Sequence, residues 1–313
     1  MNASVTASPG PIEWLGSVRG SVEGIGGKAA SLDRLARLGF LVPPGFCVTT
    51  SAFDAHLSGV ADRAPLRDAL AALPAEEART AVVHLVRETP APASVCAAIQ
   101  AALGRLIEAG ELSLAVRSSA IGEDGSTASY AGLHDTELGL AAADVEAAVR
   151  RCWSSLWSSA AVAYRKRRSL PLEGAAMAVV VQALVPADAA AVVFTRHPVT
   201  GRDDQLVVNA VRGLGEPMVS GTATPDTYVV DKASGDVLEF SGGDDGERLV
   251  ATDGGVSRVA DPARGPALEE AVLRDLVALS LEVERAFGSP VDIEAAFARD
   301  RWYLLQARPI TTV

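Results

Sequence analysis

The sequence predicts an α+β protein in two lobes. Segments with helical periodicity fill most of the first 170 residues, strand-like segments dominate after them, and the chain closes on two arms joined by a short turn. Its 313 residues suffice for one large domain or two lobes, and 49% hydrophobic residues with 5% aromatics describe a core rich in Ala, Val and Leu. The expected organisation is a single unit over 1–313, with an N-terminal lobe over about 1–182 and a C-terminal lobe over about 183–313.

Taken in order, Gly26 and Gly27 precede an amphipathic helix over about 28–38. Ala29, Leu32, Leu35, Ala36 and Leu38 form its apolar face, and Gly39 is a natural stop. Pro43-Pro44-Gly45 turns into a short strand. Residues 51–110 read as helical, broken at Pro65, Pro74, Pro90 and Pro92. A strand over 112–117 leads into a loop over 118–132 rich in Ser, Gly and Thr, long enough to suspect function. Asp144 can cap one long helix reaching about 168. Val145, Val149, Cys152, Leu156 and Ala160 keep its period, while Trp153, Trp157 and Tyr164 read as core packing. The basic run 165–168 suits a helix C-terminus without invoking nucleic acid. Strands are expected over 176–185, 189–195, 205–211 and 227–230. A last long helix carries Leu268, Val272, Leu276, Leu279 and Val283 before the closing hairpin.

A net charge of −11 disfavours nonspecific binding to nucleic acid or to an anionic membrane surface. No apolar run approaches bilayer-spanning length, and residues 1–10 lack the pattern of a signal peptide. Cys47, Cys96 and Cys152 are odd in number and far apart, which argues for a reducing compartment and a cytoplasmic protein. Of 28 basic residues only Lys28, Lys166 and Lys232 are lysines. A lysine inside Gly24-Ile25-Gly26-Gly27-Lys28 therefore invites a specific reason, although a solvated helix start would also place one there.

The closing hairpin runs from Val291 to Arg308. If it is centred on Asp300, Glu294 faces Gln306 and Asp292 faces Arg308, with all four side chains on one surface. Carboxylate and amide oxygens suit Mg²⁺, and a guanidinium suits a phosphate. From the hairpin alone two readings stay open: a metal–phosphate site, or a polar stripe facing solvent.

Several stretches together resemble the ATP-binding domain of the pyruvate phosphate dikinase and phosphoenolpyruvate synthase family, which includes the rifampin phosphotransferases. They are Gly26-Gly27-Lys28-Ala29-Ala30-Ser31-Leu32, Val42-Pro43-Pro44-Gly45-Phe46, Val116-Arg117-Ser118-Ser119-Ala120 and Ser129-Tyr130-Ala131-Gly132-Leu133-His134-Asp135-Thr136. Phe194-Thr195-Arg196-His197-Pro198-Val199-Thr200-Gly201, Gly213-Leu214-Gly215-Glu216 and Thr224-Pro225-Asp226 follow. Asp292-Ile293-Glu294 with Gln306-Ala307-Arg308-Pro309-Ile310 completes the set. Each is weak alone; together, in family order over nearly the whole chain, they are specific.

The resemblance implies an ATP-grasp-like fold holding ATP between two lobes, with ATP and Mg²⁺ as cofactors. Lys28, Arg117 and Arg308 resemble the family's phosphate-holding, catalytic cations. Gly132 and Thr136 belong to a segment like the loop over the phosphates. Gln182, Ala183, Leu184 and Val185 resemble the adenine-contacting strand, and Glu294 and Gln306 the Mg²⁺ ligands; Glu216, after Gly213 and Gly215, is a candidate near the ribose or at the lobe interface. His197 reads as a turn residue, because the family's phosphate-carrying histidine lies in a separate domain with no match here. The implied activity is ATP- and Mg²⁺-dependent phosphotransfer, in which the β-phosphoryl group goes to a histidine on a separate partner protein. The alternatives are a stand-alone kinase or ligase acting on a small molecule, and a nucleotide-binding regulatory module without turnover.

Overall fold

The computed structural model describes residues 10–61, 72, 75–108, 110, 113–121, 136–168, 170, 175–243, 246–261 and 265–310. The chain is α+β and divides into two compact units: Met1–Asp33 with Pro44–Ala183, and Arg34–Pro43 with Leu184–Val313. Helix α1 (Val22–Arg37) bends at Gly26, which has φ 73° and ψ 170°, so the regular helix begins beyond the glycine pair.

The first unit is built on β1 (Ile12–Trp14), β2 (Gly45–Val48), β3 (Leu114–Ala120), β4 (Thr136–Leu140) and β5 (Met177–Ala183). Their order is β1-β2-β5-β3-β4, with every pair antiparallel. Alternation gives this sheet two distinct faces. Phe46, Val48, Leu114, Val116, Val179 and Val181 point into a core shared with α2 (Thr50–Ala61), α3 (Glu76–Glu88), α4 (Ala93–Glu108) and α5 (Val145–Ser154). The opposite face carries Cys47, Arg117, Ser119, Val180 and Gln182, as the strand register requires.

The single helix expected over 144–168 is instead two helices. After α5 comes a 3-10 turn, Ser155–Trp157, and then α6 (Ser159–Arg167) restarts on Ser158, whose hydroxyl accepts the Ala161 N–H at 3.1 Å. The Ser154 and Ser155 hydroxyls donate to the carbonyls of Arg151 and Cys152, both at 2.7 Å, offering the backbone an alternative to continued helix. Trp153, Leu156 and Trp157 are buried through this break.

The second unit centres on a six-stranded antiparallel sheet in the order β13-β12-β6-β7-β8-β9. Its strands are β6 (Ala189–Phe194), β7 (Gln205–Arg212), β8 (Asp226–Asp231), β9 (Val237–Ser241), β12 (Val291–Ala298) and β13 (Arg301–Pro309). A separate hairpin comprises β10 (Glu247–Thr252) and β11 (Gly255–Ala260), and α7 (Glu216–Val219) is a single turn. Val193, Leu206, Val208, Val230, Ile293 and Leu304 pack on α8 (Glu270–Phe287), which supplies Leu273, Leu276, Val277 and Val283. Leu35 joins this core, and the Leu304 N–H donates to the Leu41 carbonyl at 2.8 Å, tying residues 34–43 to the second unit. Gly288, left-handed at φ 74°, ends α8. Among the described residues no single helix is long and apolar enough to cross a membrane.

The closing hairpin differs from the expected geometry at its tip and agrees at its base. The turn is two residues, Arg299 and Asp300, both with positive φ (52° and 58°), and Ala298 pairs with Arg301. That register would set Glu294 opposite Leu305. A bulge between Glu294 and Ala295 skips Leu305, so Glu294 pairs with Gln306 and Asp292 with Arg308. The bulge also reverses facing: Trp302 and Leu304 enter the core on the turn side, Ala307 on the other, leaving Gln306 and Arg308 on the opposite face.

Candidate functional site

In the first unit, Lys28 is held by a knot of main chain. Gly26 packs so closely on β3 that a Cβ there would overlap the Ser119 carbonyl oxygen. The Ser119 hydroxyl donates to the Ile25 carbonyl at 2.8 Å and accepts the Ala29 N–H at 3.0 Å, spanning the glycine pair from both sides. Cys47 adds its thiol to the same Ile25 carbonyl at 3.6 Å, and burial pushes that thiol far above its ordinary pKa. Lys28, only 6% exposed, donates from Nζ to the Ser118 carbonyl at 2.8 Å.

Arg117 is half-buried on β3, directly across from Thr136 on β4 and Val180 on β5. Gln182, two residues along β5 from Val180, shares their face and is 2% exposed. Its cross-strand partner is Gly45, where a Cβ would overlap the Val181 carbonyl, so the glycine of Pro43-Pro44-Gly45 is needed for strand closure. Register thus gathers Arg117, Thr136 and Gln182 on the face that carries the Ser119 knot, with Lys28 anchored at Ser118. Gly132 lies outside the described residues.

The stretch expected to read adenine is not one continuous strand. β5 ends at Ala183, whose N–H donates to the Pro44 carbonyl at 2.9 Å and is thereby committed. Leu184 and Val185 follow as buried residues of the second unit, and the Val185 carbonyl accepts the Ala187 N–H at 2.8 Å. Glu216 opens α7 after Gly213-Leu214-Gly215; a Cβ on Gly213 would overlap the Leu249 carbonyl, so this motif is a close backbone crossing.

The second unit presents Asp292, Glu294, Gln306 and Arg308 on the sheet face opposite α8. Arg308 donates to one oxygen of Asp292 from Nε at 2.9 Å and from a terminal nitrogen at 2.7 Å. Burial raises the Asp292 pKa above its ordinary value; the Arg308 charge and hydrogen bond oppose that rise, and the Glu294 charge adds to it. Two carboxylates therefore repel on one face, one held by a guanidinium and the other facing an amide. A hard divalent cation relieves that repulsion and accepts carboxylate and amide oxygens, so Glu294 and Gln306 fit Mg²⁺. Among the described residues no three His, Cys, Asp or Glu side chains form a cage for an ion. Mg²⁺ needs none, because it takes one or two carboxylates with waters and substrate phosphates.

Other motif residues are structural. Asp226 of Thr224-Pro225-Asp226 accepts the N–H groups of Gly243 at 2.7 Å and Ala267 at 2.5 Å, clamping two loops. His197 accepts the N–H groups of Val199 and Thr200 on Nδ1, at 3.2 and 3.3 Å, and so fastens its own turn. Sequence reasoning missed Ser119 and the pair Asn209–Thr227, whose side chains hydrogen-bond at 2.8 Å on the polar face of the second sheet. For Asn209 the signal was available: a lone polar residue alternating with the core residues Val208 and Ala210.

Comparison with known proteins covers nearly the whole chain. Residues 22–313 match the family described as pyruvate phosphate dikinase, AMP/ATP-binding domain. A probable phosphoenolpyruvate synthase from Methanocaldococcus jannaschii is 34% identical over 96% of this chain and 27% of its own length. A rifampicin phosphotransferase from a Streptomyces species is 39% identical over 92% of this chain and 34% of its own length. The prodigiosin synthesizing transferase PigC of Serratia marcescens is 37% identical over 92% and 32% respectively. The chain thus spans 27% to 34% of the length of these relatives. With the motifs in order along both units and a match from residue 22 to residue 313, this chain belongs to the pyruvate phosphate dikinase AMP/ATP-binding domain family.

Proposed function

We propose that this chain binds ATP with Mg²⁺ and transfers the β-phosphoryl group to a histidine on a separate partner protein. The observation that carries the reading is the four-residue face Asp292, Glu294, Gln306 and Arg308, set by the register of β12 on β13. Glu294 and Gln306 would hold Mg²⁺, which when bound supplies charge neutralisation along the polyphosphate. Arg308 is pre-oriented by Asp292 to meet a phosphate oxygen. Lys28 and Arg117 offset polyphosphate charge and stabilise charge developing in transfer. Thr136 offers a hydroxyl, Leu184 and Val185 apolar contact for the base, and Glu216 a carboxylate for the ribose hydroxyls.

A neutral imidazole nitrogen attacks the β-phosphorus, the bond to the α,β-bridging oxygen breaks, and AMP leaves with that electron pair. Hydrolysis of the remaining β,γ bond releases phosphate and leaves one phosphoryl group on the histidine. Two histidines of this chain are occupied otherwise: His56 is buried, with Nε2 2.9 Å from the Val86 carbonyl, and His197 fastens a turn. This supports an acceptor histidine elsewhere.

Product analysis tests the reading. Incubation with ATP, Mg²⁺ and a phosphohistidine-domain protein is expected to yield AMP and a phosphorylated partner. ADP as the sole nucleotide product, or calorimetry without ATP binding by folded protein, overturns it. Glu294→Gln is expected to weaken Mg²⁺-dependent ATP binding by about tenfold while leaving the unfolding midpoint unchanged, because the amide lacks the charge a hard cation prefers. Unaltered Mg²⁺ dependence in that variant removes Glu294 from the metal site.

A further inference from the structure

We propose that Asn209 is a further polyphosphate-binding residue, held in orientation by Thr227; the inference rests on the ATP-binding reading above. Asn209 sits mid-way along β7, a strand with neighbours on both sides. Its chain neighbours Val208 and Ala210 enter the core against α8, so Asn209 points to the opposite face. That is the face of Glu294. Pairing runs without a break from Gln306 to Glu294, then Val192, then Asn209, then Thr227, forming one row across five strands. Two strand spacings separate Asn209 from Glu294, about 9–10 Å, a span that an extended polyphosphate with its metal can cover.

Asparagine is disfavoured within a strand and costly where half-buried unless its amide is used. One half is used: the Thr227 hydroxyl donates to Asn209 Oδ1 at 2.8 Å. This fixes the amide plane and leaves its two N–H donors on the polar face. Among the described residues the Asn209 side chain makes no other hydrogen bond. On the side away from Thr227 its nearest neighbours are apolar (Val192 across, Phe194 and Val207 flanking), so no adjacent side chain there takes the donors. Oriented neutral donors on the sheet face that also carries Glu294 and Arg308 suit the anionic oxygens of a phosphate chain.

Asn209→Asp tests this with the least structural disturbance. It keeps the acceptor for Thr227 and replaces the donors by a carboxylate oxygen. By calorimetry, affinity for Mg²⁺–ATP is expected to fall at least about tenfold, while adenosine affinity stays within about twofold of wild type. Asn209→Ala should follow in the same direction. Thr227→Val should weaken ATP binding severalfold through misorientation of the amide, and Thr227→Ser, which restores the hydroxyl, should recover it. ATP affinity within twofold of wild type in both Asn209 variants overturns the proposal. So does an equal loss for ATP and adenosine, which reports a structural role, or a Thr227→Ser variant no better than Thr227→Val. Wild-type protein that fails to bind Mg²⁺–ATP overturns the functional reading itself, a distinct outcome.

Discussion

The two units build their candidate sites in opposite ways. In the first, residues some ninety positions apart are joined by a close main-chain approach, Gly26 against Ser119, and by side-chain-to-backbone hydrogen bonds such as Lys28 to the Ser118 carbonyl. In the second, the key residues come from one hairpin and are set by strand register alone. The first site depends on close approach of main chain, the second on alternation. A backbone knot fails when any side chain intrudes, whereas a register-built face fails when its charges lose partners or its strands slip.

The largest effect should come from breaking the knot. Gly26→Ala places a Cβ on the Ser119 carbonyl in a left-handed conformation, and should destabilise the first unit by about 3 kcal/mol or more. Trp14, Trp153 and Trp157 lie in this unit and Trp302 in the other, so fluorescence-monitored unfolding in a Trp302→Phe background reads the first unit by itself. A midpoint unchanged within error would show that the close approach relaxes freely.

The matching injury to the second unit is Arg308→Leu. It leaves the buried Asp292 carboxylate unpaired and should cost about 2–4 kcal/mol at pH 7. The Asp292 pKa is already raised in the folded state, so this carboxylate opposes stability once pH rises through its folded pKa. Without Arg308 the folded pKa rises further, and the defect should shrink as pH falls toward 4. Denaturant melts at several pH values check the sign; a penalty independent of pH would mean that Asp292 escapes to solvent.

A gain should be available at the hairpin tip. Arg299 and Asp300 both hold positive φ, the geometry that Asn-Gly adopts at least cost. Replacing them together by Asn-Gly should stabilise the second unit by about 1 kcal/mol and leave nucleotide affinity unchanged, because the bulge lies between the turn and the site. Altered ATP binding would show that the tip does influence register.

The smallest effect is a pH response confined to the first unit. His56 stacks on Trp153 with centroids 5.0 Å apart, and burial lowers its pKa. The Arg150 charge lowers it too, against a hydrogen bond to the Val86 carbonyl and the Glu146 charge, which raise it. A histidine that resists protonation when folded gives full stability above its unfolded pKa. That stability drains away as pH falls below about 6.5 toward the folded value. Chemical denaturation between pH 7.5 and 5.5 should show the decline, and His56→Phe should flatten it. An equal slope in the variant would place the response elsewhere.

The sequence was legible where structure is local. Alternation along 291–294 and 306–308 revealed the shared face and its pairs, Glu294 with Gln306 and Asp292 with Arg308. The centre of the hairpin was misread because symmetry about Asp300 gives the right pairs for the wrong reason. The doubled apolar Leu304-Leu305 was the trace of the bulge. The knot was not readable: spacing does not reveal that Ser119 reaches Ile25, since packing of distant segments decides it. The false continuity of the 144–168 helix has the same origin, because periodicity counts apolar residues and is blind to serine hydroxyls competing for carbonyls. Strands β9, β10 and β11 escaped notice because they are largely solvated and so weakly patterned.

Leu305 has a consequence for how this hairpin can change over generations. A strand has only two phases, and the bulge joins a tip in one phase to a base in the other. A single-codon insertion between the turn and Leu305 would turn Gln306 and Arg308 into the core, whereas loss of the Leu305 codon would leave Gln306 opposite Glu294 on a regular ladder. Residues can also be added in pairs at the tip without disturbing the base. The tip is thus free to drift in length and composition while the four polar residues keep their facing, so variation in one half of this hairpin is no guide to constraint in the other.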